Sequence, residues 1–169
     1  MKINKALGII DPSKLDKNEK FLLDIPYEMF TDKKIKLFVK ENYLVFWCEY
    51  YSVFSKRIAR TQEEFPLMAL PWFIDTIEHE YLDYKPRADD KPGDLSEGII
   101  IDGESVGISP MHHCCAENLP GYSFWNKNRR NYISNSAPQK REIPKYMLKD
   151  GLLDEFKRIS SDLGLKQYT

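Results

Sequence analysis

The chain has 169 residues, 42% of them hydrophobic and 13% aromatic, a composition that excludes a disordered segment and suffices for a buried core. Its net charge of −1 and its pI near 6.3 lack the basic bias that is typical of nucleic-acid-binding domains. No apolar run is long enough to cross a bilayer, no secretory signal is visible, and three cysteines are too few for a disulfide framework. We therefore expect one cytoplasmic domain over residues 1–169.

The first third of the chain predicts a polar segment followed by strands. Residues 1–20 are rich in lysine and are expected to be a loosely packed N-terminal segment. A short strand is predicted over residues 21–25. Apolar residues mostly alternate with lysines over residues 34–40, and residues 43–51 are aromatic and β-branched, so both segments predict strands, the second of them central and largely buried. A weaker strand is predicted over residues 52–59.

Residues 65–82 change to a helical period, with apolar side chains at positions i, i+3, i+4, i+7, i+8 and i+12. Thr61 and Glu64 match a capping box just before this segment. Pro71 removes one helical hydrogen bond, so the helix either begins near Leu70 or is kinked there.

The second half of the chain predicts a loop over residues 84–96, a hairpin, further strands and a helix. Asp102 and Gly103 separate two apolar runs, and this pair suits a type I′ turn, in which both central residues have positive φ angles. The predictions that follow are a strand continuing through residues 111–118, a turn at 119–121, a strand over 122–126, a polar stretch over 128–140 and a helix over 146–163. Gly164 is placed to end that helix. Gly151 weakens it by roughly 1 kcal/mol, so a start at residues 150–152 is the alternative.

These elements together predict an α+β fold. The strands are separated by short turns, so we expect them to form an antiparallel sheet of roughly five to seven strands. The two main helices, over residues 65–82 and 146–163, are expected to pack on that sheet through their apolar faces.

An acidic segment stands out in the charge distribution. Residues 73–104 hold ten acidic and three basic residues, a local net charge of −7. Such a segment is either a contact surface for a basic partner or a solvated helix followed by a polar loop. Within the predicted helix, Asp75 and Glu78 project from the face opposite Ala69 and Phe73.

His112, His113, Cys114 and Cys115 form the most conspicuous cluster of metal-ligating or nucleophilic residue types. Adjacent side chains on a strand alternate faces, so at best His112 with Cys114, or His113 with Cys115, share a side. A second ligand pair is missing, and no group that would orient a Cys–His pair can be identified. No phosphate-loop, dinucleotide-binding or serine-hydrolase motif occurs. We predict no enzyme activity, no cofactor and no metal, with a metal or Cys/His site at His112 and Cys114 as the alternative.

A short basic cluster, formed by Lys127, Arg129, Arg130, Lys140 and Arg141, lies near several aromatic residues. Interleaved basic and aromatic residues suit a binder of single-stranded nucleic acid, whereas the alternative is a set of solvated cations beside core aromatics. Because the chain as a whole has no basic bias, we predict no nucleic-acid partner.

Four segments, taken in order, carry a family resemblance. They are ALPWFIDTIE at 69–78, DGESVGIS at 102–109, LPGYSFWNKNRRNY at 119–132 and YMLKDGLLDEF at 146–156. This order resembles small immunity proteins of bacterial contact-dependent growth inhibition and related polymorphic-toxin systems. The resemblance covers about residues 65–165, and its motifs are structural.

The resemblance implies a non-enzymatic cytosolic protein that binds the C-terminal domain of its cognate toxin and blocks an active site or a cofactor-binding surface. Such toxins are often nucleases with basic grooves, against which an acidic surface would compete with the phosphate backbone and speed association. The residues that we predict to contact the toxin are Asp75, Glu78, Asp83, Asp89, Asp90 and Asp94. The alternatives are metal or Cys/His chemistry at residues 112–115, or an inhibitor or adaptor of another host protein. We expect no membrane partner, and the sequence leaves the oligomeric state open.

Overall fold

Two four-stranded antiparallel sheets and three short helices make up the described part of the chain, residues 2–26, 33–82, 96–115, 118–132 and 137–166 of this computed structural model. The first sheet is a meander of β1 (Glu19–Ile25), β2 (Lys34–Lys40), β3 (Tyr43–Ser52) and β4 (Arg57–Pro66). The second sheet is a meander of β5 (Glu97–Ile101), β6 (Glu104–Cys114), β7 (Leu119–Arg130) and β8 (Pro138–Pro144). The α+β fold with an antiparallel architecture is therefore confirmed, although the strands divide into two sheets.

Tight turns set the register of two hairpins. Asp102 and Gly103 have φ angles of 50° and 77°, and they join β5 to β6 as the type I′ prediction requires. Between β2 and β3, Glu41 has a φ angle of 55°, and Lys40 pairs directly with Tyr43 across the turn. In both hairpins the turn fixes which residues pair across the strands. Paired residues, and every second residue along each strand, then lie on the same face of the sheet.

The helices follow the two sheets. α1 (Ala69–Thr76) comes directly after the first sheet and continues as a wider, π-helical stretch through Ile77–Leu82. After the second sheet come α2 (Lys145–Met147) and α3 (Leu153–Asp162), with an irregular turn at Leu148–Leu152 between them.

The end of α3 confirms the role predicted for Gly164. This glycine has a φ angle of 64°, and its N–H donates to the Ser161 carbonyl at 2.9 Å. The Leu165 N–H donates to the Ser160 carbonyl, also at 2.9 Å. This pair of bonds is the Schellman arrangement, which satisfies carbonyl groups at the end of a helix.

One hydrophobic core joins both sheets and the helices. Phe46 on β3 lies near its centre, with ring centroids 5.9 Å from Phe65, 6.5 Å from Phe124 and 6.2 Å from Phe156. These three rings come from β4, β7 and α3, and α1 adds Phe73, whose centroid is 4.9 Å from that of Phe124. Aromatic contacts of this kind, edge-to-face except for the tilted pair of Phe46 and Phe124, bury much apolar area and fix the relative position of the elements.

Strand β3 is buried on both faces, as predicted for a central strand. Its inward residues Leu44, Phe46 and Cys48 belong to the main core. On its outer face, Val45 and Trp47 belong to a second cluster with Ile10, which comes from the N-terminal segment. The first sheet is thus covered on its outer side by residues that precede β1.

Several boundaries predicted from the sequence are wrong. Thr61 and Glu64 do not cap a helix, because both lie in β4, which runs through Phe65 and Pro66 before α1 begins at Ala69. The predicted turn at 119–121 lies inside β7, and β8 occupies a stretch for which no strand was predicted. The predicted loop over 84–96 lies almost wholly outside the described residues.

Candidate functional site

Two of the six predicted partner-binding residues lie in a groove between α1 and α3, hereafter the helix groove. Asp75 is about half exposed, and one of its carboxylate oxygens lies 3.4 Å from His79 Nε2. Glu78 is also partly exposed, and its carboxylate lies 2.5 Å from Lys157 Nζ on α3. The groove has a volume of about 360 Å³. Asp75 and Glu78 are thus accessible to a partner, and Glu78 also links the two helices.

The other four predicted contact residues, Asp83, Asp89, Asp90 and Asp94, lie outside the described residues. One further acid of the same segment behaves differently from the expectation of a charged surface. Glu104 is 1% exposed and takes part in an internal ion-pair network. The acidic surface of this segment is therefore smaller than its sequence suggests.

The internal network centres on Arg129, whose side chain is almost completely buried. Its guanidinium pairs with Glu64 of β4 and, through Nη2 at 2.9 Å, with Glu104 of β6. It also lies over the Tyr43 ring, 4.0 Å from the centroid. Asn126 adds an amide hydrogen bond of 2.6 Å to Glu104. Burying a charged group without a charged or hydrogen-bonding partner is strongly unfavourable. The contacts among Arg129, the two carboxylates and Asn126 supply those partners.

The N-terminal segment completes the network. The Leu7 N–H donates to the Glu64 carboxylate at 3.0 Å, and the Tyr132 hydroxyl donates to the Leu7 carbonyl. The Ile10 N–H donates to Gln62 Oε1 at 3.1 Å. Asn4 Nδ2 reaches Glu104 at 2.8 Å. Although loose packing is the expectation for residues 1–20, this stretch connects the two sheets through buried hydrogen bonds.

Burial and hydrogen bonding act in opposite directions on the carboxyl groups. Burial acts to raise the pKa of Glu104, but the hydrogen bonds from Arg129 and Asn126 outweigh it, so its pKa lies below the ordinary value. For Glu63, burial prevails over the attraction of Arg141 and raises the pKa. Among the described residues, Trp47 Nε1 is the sole buried side-chain nitrogen or oxygen without a hydrogen-bond partner. Trp47 is not part of the Arg129 network, so every buried side-chain nitrogen and oxygen of that network has a hydrogen-bond partner. A stable buried polar cluster requires this.

Two of the five residues in the predicted basic cluster are buried in ion pairs, and Lys127, Arg130 and Lys140 remain accessible. Arg129 is internal, and Arg141 Nε donates to Glu63 at 2.8 Å in a largely buried pair. Lys127 lies over the Trp125 ring, 4.5 Å from its centroid. Solvated cations, the alternative interpretation, are wrong for both buried arginines.

All three cysteines lie in or beside one cleft, hereafter the cysteine cleft. This cleft lies between β3 and β4 of the first sheet and β8 of the second, and its volume is about 460 Å³. Cys48, Cys115 and Glu142 are among its lining residues. Burial raises the pKa of the Cys48 thiol, and a hydrogen bond with Cys115 together with burial raises that of Cys114. Both thiols are therefore protonated at neutral pH, unlike an activated nucleophile.

The structure brings Cys114 together with a different partner from the predicted one. The His112 and His113 side chains are exposed, and among the described residues neither belongs to a group of converging ligand atoms. Instead, Cys114 Sγ lies 3.5 Å from Cys115 Sγ, and both lie near the carboxylate of Glu142. His112 is exposed whereas Cys114 is buried, although regular alternation would place both on one face. The pairing of β6 with β7 shifts register between Met111 and Cys114, which accounts for the difference.

An apolar surface at the end of the β3–β4 hairpin was missed by sequence reasoning. This hairpin tip comprises residues 51–58, in which Phe54 is fully exposed and Val53 is 76% exposed. Ile58 and Tyr51 are 62% and 51% exposed. The signal in the sequence is that the two apolar residues Val53 and Phe54 occupy a turn. Turns usually carry glycine, asparagine, aspartate or proline instead.

Comparisons with known proteins do not assign the chain to a family. No protein-family model matches the sequence, and no curated protein matches it significantly. The resemblance to immunity proteins therefore rests on the four segments quoted above. Within the described residues, no helix has both the length and the apolar character needed to cross a membrane.

Proposed function

We propose that the protein is a non-enzymatic immunity protein that binds the C-terminal domain of a bacterial toxin in the cytoplasm and blocks its active surface. The hairpin tip is the observation that supports this proposal most directly. Exposed aromatic and aliphatic side chains in one contiguous patch are typical of a surface that a protein partner covers. The family resemblance supplies the class of partner.

The hairpin tip has the properties of a binding anchor. Phe54 and Tyr51 are the residue types that dominate binding energy once they are desolvated in a partner's pocket. The flanking strands pair without interruption from Tyr43 with Pro66 to Ser52 with Arg57. The Ser55 N–H also donates to Ser52 Oγ at 3.3 Å within the turn. Because the tip is held in place before binding, little conformational entropy is lost when a partner covers it.

The acidic residues would contribute to binding by attracting a positively charged partner. Asp75 on α1 and Glu78 on the π-helical stretch after it are accessible, and the predicted contacts Asp83, Asp89, Asp90 and Asp94 follow in the chain. An acidic surface attracts the basic groove of a nuclease and raises the association rate. Lys56 and Arg57 lie within the hairpin tip and are exposed, and their charge would be repelled by a basic groove. We therefore expect the apolar contact to lie beside that groove and not within it.

The test is binding and protection with the toxin C-terminal domain encoded next to this gene. We expect a one-to-one complex that protects cells producing the toxin. Replacing Val53 and Phe54 by serine should cost about 2 kcal/mol or more of binding free energy, mostly through faster dissociation. Ile100→Ser is the matched control, since Ile100 is 68% exposed on the other sheet and should bind normally.

The charge contribution is measured in the same binding assay. Reversing Asp89, Asp90 and Asp94 to lysine should slow association and flatten its dependence on salt. Unchanged association rates would place the electrostatic contact elsewhere. Absence of any complex with the neighbouring toxin, or normal binding by the Val53/Phe54 variant, would refute the proposal in whole or in its choice of surface.

A further inference from the structure

We infer that Cys114, Cys115 and Glu142 form a binding site for a thiophilic divalent cation of the zinc class. The site is independent of toxin binding, because it lies at the end of β6 and on β8 and uses none of the proposed contact residues. Within the described residues, these three side chains are the group whose ligand atoms converge, all within 4.8 Å of one another.

The spacing of the donor atoms suits a single ion. The two sulfur atoms are 3.5 Å apart. In a tetrahedral zinc site with bonds of about 2.3 Å, two sulfur ligands are separated by about 3.8 Å, so only small side-chain movements are needed. Two thiolates and one carboxylate are three of the four ligands of such an ion, and water in the cleft can supply the fourth.

The backbone explains how adjacent cysteines reach the same ion. Regular strand geometry would direct the two side chains to opposite faces. However, β6 ends at Cys114, and Cys115 has a φ angle of 56°, in the left-handed region. A non-glycine residue adopts this conformation at a cost in backbone strain that the surrounding structure must offset. Here it brings the Cys115 sulfur to the Cys114 sulfur.

Neighbouring residues hold the third ligand in place. The Cys115 N–H donates to Glu142 Oε2 at 2.7 Å, and Lys140 Nζ lies 2.9 Å from Oε1 of the same carboxylate. Gly121 leaves room for the buried thiol, since a Cβ there would lie 2.6 Å from Cys114 Sγ. The charge of a doubly positive ion plus Lys140 would balance two thiolates and one carboxylate. Ligands supported in this way keep their geometry, which strengthens metal binding.

Access to the site comes from the cysteine cleft. Cys115 and Glu142 line this cleft of about 460 Å³, whereas Cys114 is fully buried behind them. An ion that enters from the cleft displaces one proton from each thiol, and both protons pass to solvent. Sulfur donors favour zinc and similar ions over magnesium or calcium, which prefer oxygen ligands.

The experiment measures cation binding by the full chain kept reduced with a non-thiol reductant. We expect one zinc ion per chain in competition with a chromophoric chelator. Cobalt should give a sulfur-to-metal charge-transfer band that zinc removes. Cys115→Ser and Glu142→Gln should each weaken binding by more than about 10-fold, the lower limit for losing a group that supports a metal.

Cys48→Ser is the matched control, because Cys48 lines the same cleft without belonging to the converging group. It should bind zinc as the native chain does, and circular dichroism should show that all variants are folded. Absence of stoichiometric zinc binding, or equal loss in Cys48→Ser, would overturn the site. Normal zinc binding by both Cys115→Ser and Glu142→Gln would overturn it as well.

Discussion

At the scale of single residues, Arg129 is the positive charge that two buried carboxylates share. Its guanidinium faces the buried carboxylates of Glu64 and Glu104. We expect Arg129→Met to lower the free energy of unfolding by about 3–5 kcal/mol, because removing one partner leaves buried charge without compensation. Arg158→Met is the control, since Arg158 forms its ion pairs on the exposed surface of α3 and should leave stability nearly unchanged.

The loss in Arg129→Met should also depend on pH in a defined direction. In the native chain the pKa of Glu104 is held below its ordinary value, so this group stabilises the fold above about pH 4.3 and less as the pH falls. Without Arg129, burial raises that pKa and the effect is reversed. Urea titrations should therefore show the largest difference near neutral pH and a smaller one below pH 4. A difference that is constant with pH, or no larger than in the control, would contradict this account.

Sequence reasoning could not find the buried network because its members are distant in the chain. Glu64 and Arg129 are 65 residues apart, and each lies in a stretch that resembles an exposed polar surface. A charged residue inside an otherwise regular strand is the available signal, but it does not identify the partner. The pairing of Asp102 with Gly103 could be predicted, since a type I′ turn depends on adjacent residues alone.

At the scale of secondary-structure elements, the boundary between β4 and α1 shows where periodicity misleads. Phe65 and Ala69 fit one helical face, yet Phe65 belongs to a strand and both residues are buried in the same core. A strand that runs directly into a helix gives an unbroken apolar pattern, and propensity alone does not locate the junction. Strand β8 was missed for a related reason. Its buried residues are set by pairing with β7 and by the ion pair of Arg141 with Glu63 on β4, and no local pattern reveals these contacts.

The break between α2 and α3 depends on Gly151. This residue has φ 120° and ψ −13°, which a residue with a Cβ adopts only under strain. We expect Gly151→Ala to destabilise the fold by about 1–3 kcal/mol, although alanine favours helix, because the strain exceeds that gain. Within the described part of the chain, no atom lies within 4 Å of the added Cβ, so we expect no crowding.

Gly8→Ala serves as the control for Gly151→Ala. A Cβ at Gly8 would make an ordinary contact of 3.8 Å with Lys40 Nζ, and no positive φ angle is involved. Thermal and urea unfolding of the two variants should therefore differ. An increase in stability for Gly151→Ala would mean that Lys145–Met147 and Leu153–Asp162 can join into one helix without loss of packing.

At the scale of the whole molecule, the two sheets are connected by more than their shared core. Asn4 binds the second sheet through Glu104, while Leu7 and Ile10 bind the first sheet through Glu64 and Gln62. The N-terminal segment is therefore a tie between the sheets that also covers Trp47. If this tie is integral to the cooperative unit, disrupting it should lower the stability of the entire fold and not merely release the segment.

Ile10 offers a direct measurement of that tie. Its side chain is 1% exposed against Phe38, Val45 and Trp47, whereas the neighbouring Ile9 is 43% exposed. We expect Ile10→Ala to cost about 2–5 kcal/mol in urea unfolding, as other large-to-small core changes do, while Ile9→Ala should cost less than about 0.5 kcal/mol. In hydrogen exchange, the Leu7 and Ile10 amides should be protected as strongly as those of β3. If the segment instead opens by itself, these amides would exchange early, and the loss in Ile10→Ala could not exceed the free energy of detaching the segment.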